Sequence, residues 1–285
     1  MREASKSAVR VPPVDPLPLE GLIELIERRY GVDLRQYRQR FLGRRIRSRM
    51  MARGVADCTA YSRLLRDDPG EYDALLEALS INVSRFMRDR TAFSVLRDQA
   101  LSPLLQERRS SSARRLALWS AGCATGEEPY SVALLLAESL QSRLSRWRLT
   151  VHGTDVSAKA LAWARRGCYR PESFGDLDAP YVQRYFSSTV GGLTLERRIR
   201  DLVTWYRQDL RTTPPLPAYD LILCRNVLIY YDRAEQEAIV SHLIDHLVPG
   251  GYLMLGMVEM LPPSQTGRLV VVNARHRLYC RSPLS

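Results

Sequence analysis

The chain has 285 residues, 45% hydrophobic and 26% charged, a soluble globular composition with room for one large or two ordinary domains. With 42 Lys and Arg against 31 Asp and Glu the net charge is +11, so an acidic partner is expected: nucleic acid, an anionic membrane surface or a carboxylate-rich protein. No apolar run reaches the roughly 18–20 residues of a membrane span and the N-terminus has no apolar signal core, so neither secretion nor membrane insertion is expected.

Residues 1–16 carry three prolines and little periodicity, and read as a flexible lead-in. Leu19, Leu22, Ile23, Ile26 and Tyr30 then follow helical spacing up to Gly31. A second helix is predicted from about Leu34 to Arg53, with Leu34, Tyr37, Phe41, Leu42, Ile46 and Met50 as its apolar set and eight arginines. These arginines fall in two stripes, Arg38, Arg45 and Arg49 on one side and Arg40, Arg44 and Arg47 on another. Further helical patterns cover Tyr61 to Leu65 and Tyr72 to Leu79, separated by an Asp67-Asp68-Pro69-Gly70 turn. The spacing predicts an all-helical N-terminal domain that ends in a linker, over residues 17–88.

From residue 89 to 285 the pattern alternates. A helix holding Phe93, Leu96, Leu104 and Leu105 comes first, followed by strands at Leu116–Trp119, Leu149–Gly153, Val203–Tyr206, Leu221–Cys224, Tyr252–Gly256 and Leu269–Asn273 with Arg277–Cys280. Helices are predicted at Ala158–Arg166 and Arg233–Leu247, the latter stopped by Pro249-Gly250-Gly251. The alternation predicts a doubly wound, mostly parallel sheet covered on both faces, with a small antiparallel subdomain at about 170–202 behind a Gly191-Gly192 turn.

The stretch LALWSAGCATGEEPY, Leu116 to Tyr130, reads as strand, small-residue turn and helix, the usual form of a nucleotide cradle. Glu127 and Glu128 stand at the helix start, where a pyrophosphate would meet two carboxylates. A ligand bearing hydroxyls, an amine and a sulfonium would instead meet acceptors, which favours S-adenosylmethionine over a dinucleotide. In such a sheet the ligand sits at the carboxyl ends of the strands. Asp155 ends the second strand, where an acid accepts from ribose hydroxyls, and Gln208-Asp209-Leu210 ends the third, beside the expected adenine. Cys224-Arg225-Asn226-Val227-Leu228-Ile229-Tyr230-Tyr231 ends the fourth and lacks the Asn-Pro-Pro-Tyr of amino-methylating enzymes. The five cysteines are scattered without C-x-x-C spacing and do not cluster with the four histidines, which argues for reduced thiols in a cytoplasm and against a metal site.

INVSRFMRD, WSAGCATGEEPYS, GTDVS, QDL and CRNVLIYYD occur in the order and spacing of the CheR family, the chemotaxis receptor glutamate O-methyltransferases, and the chain resembles that family over nearly its whole length. The resemblance implies a Rossmann-like class I methyltransferase domain and methyl transfer from S-adenosylmethionine to glutamate carboxylates on chemoreceptor helices, leaving S-adenosylhomocysteine. It further implies that Asn82, Ser84, Arg88, Ala121, Gly122, Glu128, Asp155, Asp209, Leu210, Arg225 and Asn226 hold the cofactor, and that Arg88 and Tyr230 flank the transferred methyl. The Arg38, Arg45 and Arg49 stripe would then face rows of acidic side chains on the methylation helices, and the enzyme is expected to be a monomer. Ser84 stands where the family has Thr, Met87 where it has Phe, Asp209 where Asn is also common and Val258 where a Ser usually precedes Glu259; none removes a reacting group. Some members grip a receptor tail peptide on the antiparallel subdomain, and the short SSTVGG link between Phe186 and Leu193 suggests that this chain does without one. A nucleic-acid methyltransferase and a catalytically silent cofactor-binding adaptor remain as alternative readings.

Overall fold

In the computed structural model the described residues are 16–30, 38–79, 84–109 and 114–282. They fall into two compact units, Met1–Leu79 and Ser80–Ser285.

The first unit is helical. Helix α1 (Pro16–Tyr30) buries Leu19, Leu22, Ile23 and Ile26, the spacing expected of one amphipathic face. Helix α2 (Gln39–Ala52) buries Phe41, Leu42, Ile46 and Met50; its expected start, with Leu34 and Tyr37, lies outside the described residues. Helices α3 (Cys58–Asp67) and α4 (Pro69–Leu79) are longer than their apolar spacing showed. Asp57 caps α3 by accepting from Ala60 N at 2.8 Å. The expected four-residue turn between them contracts to Asp68, because Pro69 has the backbone angle that a first helical position wants. Asp68 Oδ1 then accepts from Gly70 N at 2.9 Å.

The second unit opens with α5 (Arg90–Leu96), one π-helical turn over Arg97–Leu101, and α6 (Ser102–Arg109). Then come β1 (Arg115–Ala121), α7 (Glu127–Leu140), β2 (Arg148–Asp155), α8 (Ala158–Arg166), β3 (Cys168–Tyr169), α9 (Ala179–Tyr185), β4 (Phe186–Thr189), β5 (Gly192–Leu195) and α10 (Arg197–Arg200). Strands β6 (Val203–Arg207) and β7 (Tyr219–Cys224), helix α11 (Arg233–Asp245), and strands β8 (Leu247–Leu255), β9 (Leu269–Asn273) and β10 (Leu278–Arg281) complete it.

The main sheet has the order β6-β2-β1-β7-β8-β10-β9, parallel from β6 to β8 and antiparallel at β10 and β9. From β1 the chain winds outward to β2 and β6, then returns to lay β7 on the other side of β1. That makes the carboxyl ends of β1 and β7 the switch point, where a doubly wound sheet opens a crevice. Helix α7 is buried nearly all round, as its apolar composition requires. The small antiparallel sheet has the order β3-β5-β4 and begins at Cys168. One boundary differs from the expectation: Pro249-Gly250-Gly251 does not precede β8 but lies within it. The strand begins at Leu247, opposite Tyr219, and absorbs the proline in a register shift before Leu221 pairs with Tyr252.

Candidate active site

The turn after β1 is closed upon itself. Gly122 N and Cys123 N both donate to Thr154 O at 2.9 Å, and Gly126 N donates to Cys123 O at 3.0 Å. Ala124 N donates to Asp155 Oδ2 at 2.9 Å, while Ser157 N donates to Asp155 Oδ1 at 2.9 Å. The Gly122, Cys123, Ala124 and Gly126 amides are therefore committed within the protein. With about four lone-pair sites, the Asp155 carboxylate keeps acceptor capacity for a hydroxyl beyond these amides. Burial pushes the Asp155 carboxyl up, against the pull of the Ser157, Ala124 and Val156 amides.

Glycine is required twice here. Gly122 has φ +77°, and a Cβ on it would come within 2.6 Å of Val227 Cγ2, so the turns after β1 and β7 touch. Gly126 has φ +94°, with Ala164 and Trp205 both 2.7 Å from where its Cβ would stand. Ala121, expected at the cofactor, ends β1 and is fully buried.

The two glutamates at the start of α7 have separate tasks. Glu128 accepts from Ser120 Oγ at 2.7 Å and lies 3.5 Å from Arg225 Nη1. Burial raises its pKa, and the Arg225 charge and the Ser120 hydroxyl pull against that rise. Glu127 is buried, accepting from Thr125 Oγ1 at 2.7 Å and Ser173 Oγ at 3.3 Å, and Ser84 also hydrogen-bonds its carboxylate. Ser84, expected at the cofactor, is thus tied to Glu127. Glu127 joins three segments distant in sequence, which spacing along the chain does not show.

Around Ser84 to Asp89 the linker is clasped to this unit. Phe86 is fully buried, with the Tyr169, Phe174 and Phe186 rings 4.8, 5.2 and 5.2 Å away. Phe86 N donates to Ser173 O at 2.8 Å and Met87 N to Ser131 Oγ at 2.9 Å. Met87 and Asp89 hold left-handed φ values of 53° and 63°, at about 1–3 kcal/mol each. That strain is offset by Arg225, whose Nη2 donates to Asp89 Oδ2 at 2.8 Å and to Arg88 O at 3.1 Å.

Arg225, expected among the cofactor ligands, is engaged with three groups of the protein itself. Its side chain is 2% exposed and its guanidinium lies 5.2 Å from the Phe93 ring. It spans from the linker to Glu128 as a strut, and this strut brings the backbone of Arg88 to the turn that carries Asn226 and Tyr230. Asn226, at φ +61°, uses the tolerance of asparagine for the left-handed region. Asn82 lies outside the described residues.

Asp209, expected beside the adenine, is paired within its own loop. Its carboxylate takes Arg211 Nε at 3.0 Å and Nη2 at 2.9 Å. Although burial acts to raise its pKa, the bonds from Arg211 hold it below the ordinary value. Leu210 is buried at the same strand end.

In the helical unit the arginine stripe divides. Arg49 Nε and Nη2 bind Glu71 at 3.0 and 2.6 Å, Arg53 Nη1 adds 2.9 Å and the Tyr61 hydroxyl 2.6 Å, all around a fully buried carboxylate. Arg49 is therefore a clamp between α2 and α4, a role in the fold that its expected place in substrate recognition did not include. The helical pattern of α2 could not show this, because Glu71 lies 22 residues on. Arg38, Arg40 and Arg44 are exposed, and Arg45 is half-buried with its guanidinium 5.7 Å from the Phe41 ring.

No group of three or more His, Cys, Asp or Glu suited to a metal is present among the described residues. No helix among them is long and apolar enough to cross a membrane.

Two family models match in register: the CheR methyltransferase all-alpha domain over residues 18–80 and the CheR methyltransferase SAM binding domain over 82–278. The chemotaxis protein methyltransferase of Escherichia coli is 34% identical over 83% of this chain and 82% of its own length. The probable biofilm formation methyltransferase WspC of Pseudomonas aeruginosa is 33% identical over 85% of this chain and 57% of its own. An uncharacterized 104.1 kDa protein of Rhodobacter capsulatus is 33% identical over 92% of this chain, which matches 27% of that longer protein. With the closed turn, its acceptor carboxylates and both family models in order along the sequence, the chain belongs to the CheR family of S-adenosylmethionine-dependent methyltransferases.

Proposed function

We propose that the protein methylates the side-chain carboxylate of glutamates on acidic helices of chemoreceptors, giving glutamyl methyl esters. The observation that carries this reading is the Arg225 strut, which gathers Glu128, the Arg88 backbone and the turn leading to Tyr230 at the switch point of the sheet.

S-adenosylmethionine, when bound, supplies an electrophilic methyl on a positively charged sulfur. Asp155 would hold its ribose hydroxyls and Glu128 its ammonium, beside a turn whose Gly122, Cys123, Ala124 and Gly126 amides are already paired. A glutamate acceptor has an ordinary pKa near 4.3 and is ionised at neutral pH, so no general base is needed. The protein's task is placement, and orientation alone lowers such barriers by as much as about 7–11 kcal/mol. Arg88 would hold one carboxylate edge and the Tyr230 hydroxyl would donate to it. One cation and one neutral donor orient the nucleophile without quenching it.

Outside the pocket, Arg38 and Arg45 with the exposed Arg40 and Arg44 would attract acidic receptor helices by charge complementarity. This reading places the enzyme in the cytoplasm, where receptor methylation helices are accessible. The deciding experiment is incubation with tritiated S-adenosylmethionine and receptor cytoplasmic fragments, followed by treatment with alkali. Released tritiated methanol supports ester formation; alkali-stable label would point to a nucleic acid or amine acceptor.

A further inference from the structure

The loop after β8 has an inverted exposure pattern. Val258 and Met260 are 72% and 70% exposed, yet Glu259 between them is 4% exposed. An exposed loop normally turns its acid outward and its apolar side chains inward. The inversion needs a cause, and the carboxylate supplies it.

Glu259 Oε1 accepts from Val227 N and Leu228 N at 2.8 Å each, and Oε2 from Asn226 N at 3.0 Å and Gly256 N at 2.5 Å. Four backbone amides thus converge on one carboxylate, three of them consecutive in the turn after β7. Gly256 is fitted to this arrangement: a Cβ there would stand 2.6 Å from Glu259 Oε2 and 2.8 Å from Asn226 N. The same turn is held from its other side by Gln236 of α11, whose Nε2 donates to Leu228 O at 2.9 Å and Tyr231 O at 3.1 Å. Tyr230 stands between those two carbonyls, with its own N–H on Val227 O at 3.2 Å.

We infer that Glu259 is a positioning residue for methyl transfer, fixing the Asn226–Leu228 turn and through it the hydroxyl of Tyr230. The inference rests on the reading above that Tyr230 meets the acceptor carboxylate. In Glu259→Gln one acceptor oxygen becomes a donor that faces N–H groups, so the turn loses amides it cannot pair elsewhere. A displacement of about 1 Å in a group that orients a reactant costs on the order of a hundredfold in rate.

The test is a double-mutant cycle of Glu259→Gln and Tyr230→Phe on the full chain, with turnover scaled to protein that binds S-adenosylmethionine. The expected result is a loss of about ten- to a hundredfold in kcat for Glu259→Gln alone and less than threefold in the Tyr230→Phe background, with acceptor KM little changed. Gln236→Ala serves as the second variant should Glu259→Gln fold poorly, and is expected to be non-additive with Tyr230→Phe in the same way. Equal factors in both backgrounds, or wild-type kcat per binding-competent molecule, would overturn the inference. Hydrogen exchange separates this from the parent reading. The amides of Asn226 to Leu228 should exchange slowly in the wild type and faster in Glu259→Gln whatever the acceptor; unchanged exchange would also overturn it. An absence of ester formation by the wild type would count against the functional reading, while the exchange result still decides whether Glu259 holds the turn.

Discussion

Replacing Arg49 by Ala separates what α2 does for the fold from what it does for a partner. Arg49 gives Glu71 two charge-assisted bonds, at 3.0 and 2.6 Å, and Glu71 is wholly buried. Bonds to charged groups contribute about 1.5–3 kcal/mol each. Arg53 and the Tyr61 hydroxyl remain on the carboxylate in the variant, so a net loss of about 2–4 kcal/mol is expected, close to what breaking a buried pair costs. Urea unfolding followed by circular dichroism is the appropriate assay, since a guanidinium salt would itself screen the pair. The ion pair also has a pH signature. Burial alone would raise the Glu71 pKa, but the bonds from Arg49 and Tyr61 and the charges of Arg49 and Arg53 hold it below the ordinary 4.5. A depressed carboxyl stabilises the fold above the unfolded value, and that contribution is lost as pH falls through the lower folded one. The wild type should therefore lose stability below about pH 4.5, and Glu71→Gln should be less stable at neutral pH with a flatter acid dependence. A loss under about 1 kcal/mol for Arg49→Ala, with slower receptor methylation, would refute the clamp and restore Arg49 to recognition.

Asp155→Ala is expected to weaken S-adenosylmethionine binding by at least tenfold, through loss of its proposed ribose contacts and of the amides it holds at Ala124 and Ser157; calorimetry with unchanged affinity would remove Asp155 from the site. Arg88→Ala and Tyr230→Phe should fold normally and lower turnover more than cofactor affinity, and wild-type turnover in either would reject that assignment. Arg38→Glu with Arg45→Glu should slow methylation of a receptor fragment without altering cofactor binding. The wild-type rate should fall with salt over a Debye length of roughly 8–10 Å, and a salt-independent rate would argue against steering. Gly126→Ala should destabilise the second unit by about 1–3 kcal/mol, given φ +94° and two side-chain contacts at 2.7 Å; thermal unfolding at the wild-type temperature would contradict that packing.

Local periodicity made the strands and helices legible, because β1, β7 and α7 are buried runs and α1 and α2 keep one apolar face. The place of Asp155 at the end of β2 and of the small-residue turn after β1 was legible too, because strand and helix periodicity bracket both. What stayed hidden depends on partners distant in sequence. Arg49 and Arg45 look alike on a helical wheel until Glu71 is folded beneath one of them. That Arg225 also joins Asp89, the Arg88 carbonyl and Glu128 cannot be read from its place after β7. Glu127 and Glu128 are adjacent and chemically identical, and only the placement of Ser84 and Ser173 tells the buried junction residue Glu127 from the candidate ligand Glu128. Pro249 read as a helix stop before a strand, yet the strand takes it in through a register shift set by β7.

Carboxylate methylation at the site braced by Arg225 can be read by tandem mass spectrometry of an acidic receptor fragment after incubation with enzyme and S-adenosylmethionine. The expected product carries one added methyl on a glutamate side chain, removed by mild alkali and absent when that glutamate is replaced by glutamine. A methyl on a lysine, an amide nitrogen or the fragment's amino terminus, stable to alkali, would contradict it.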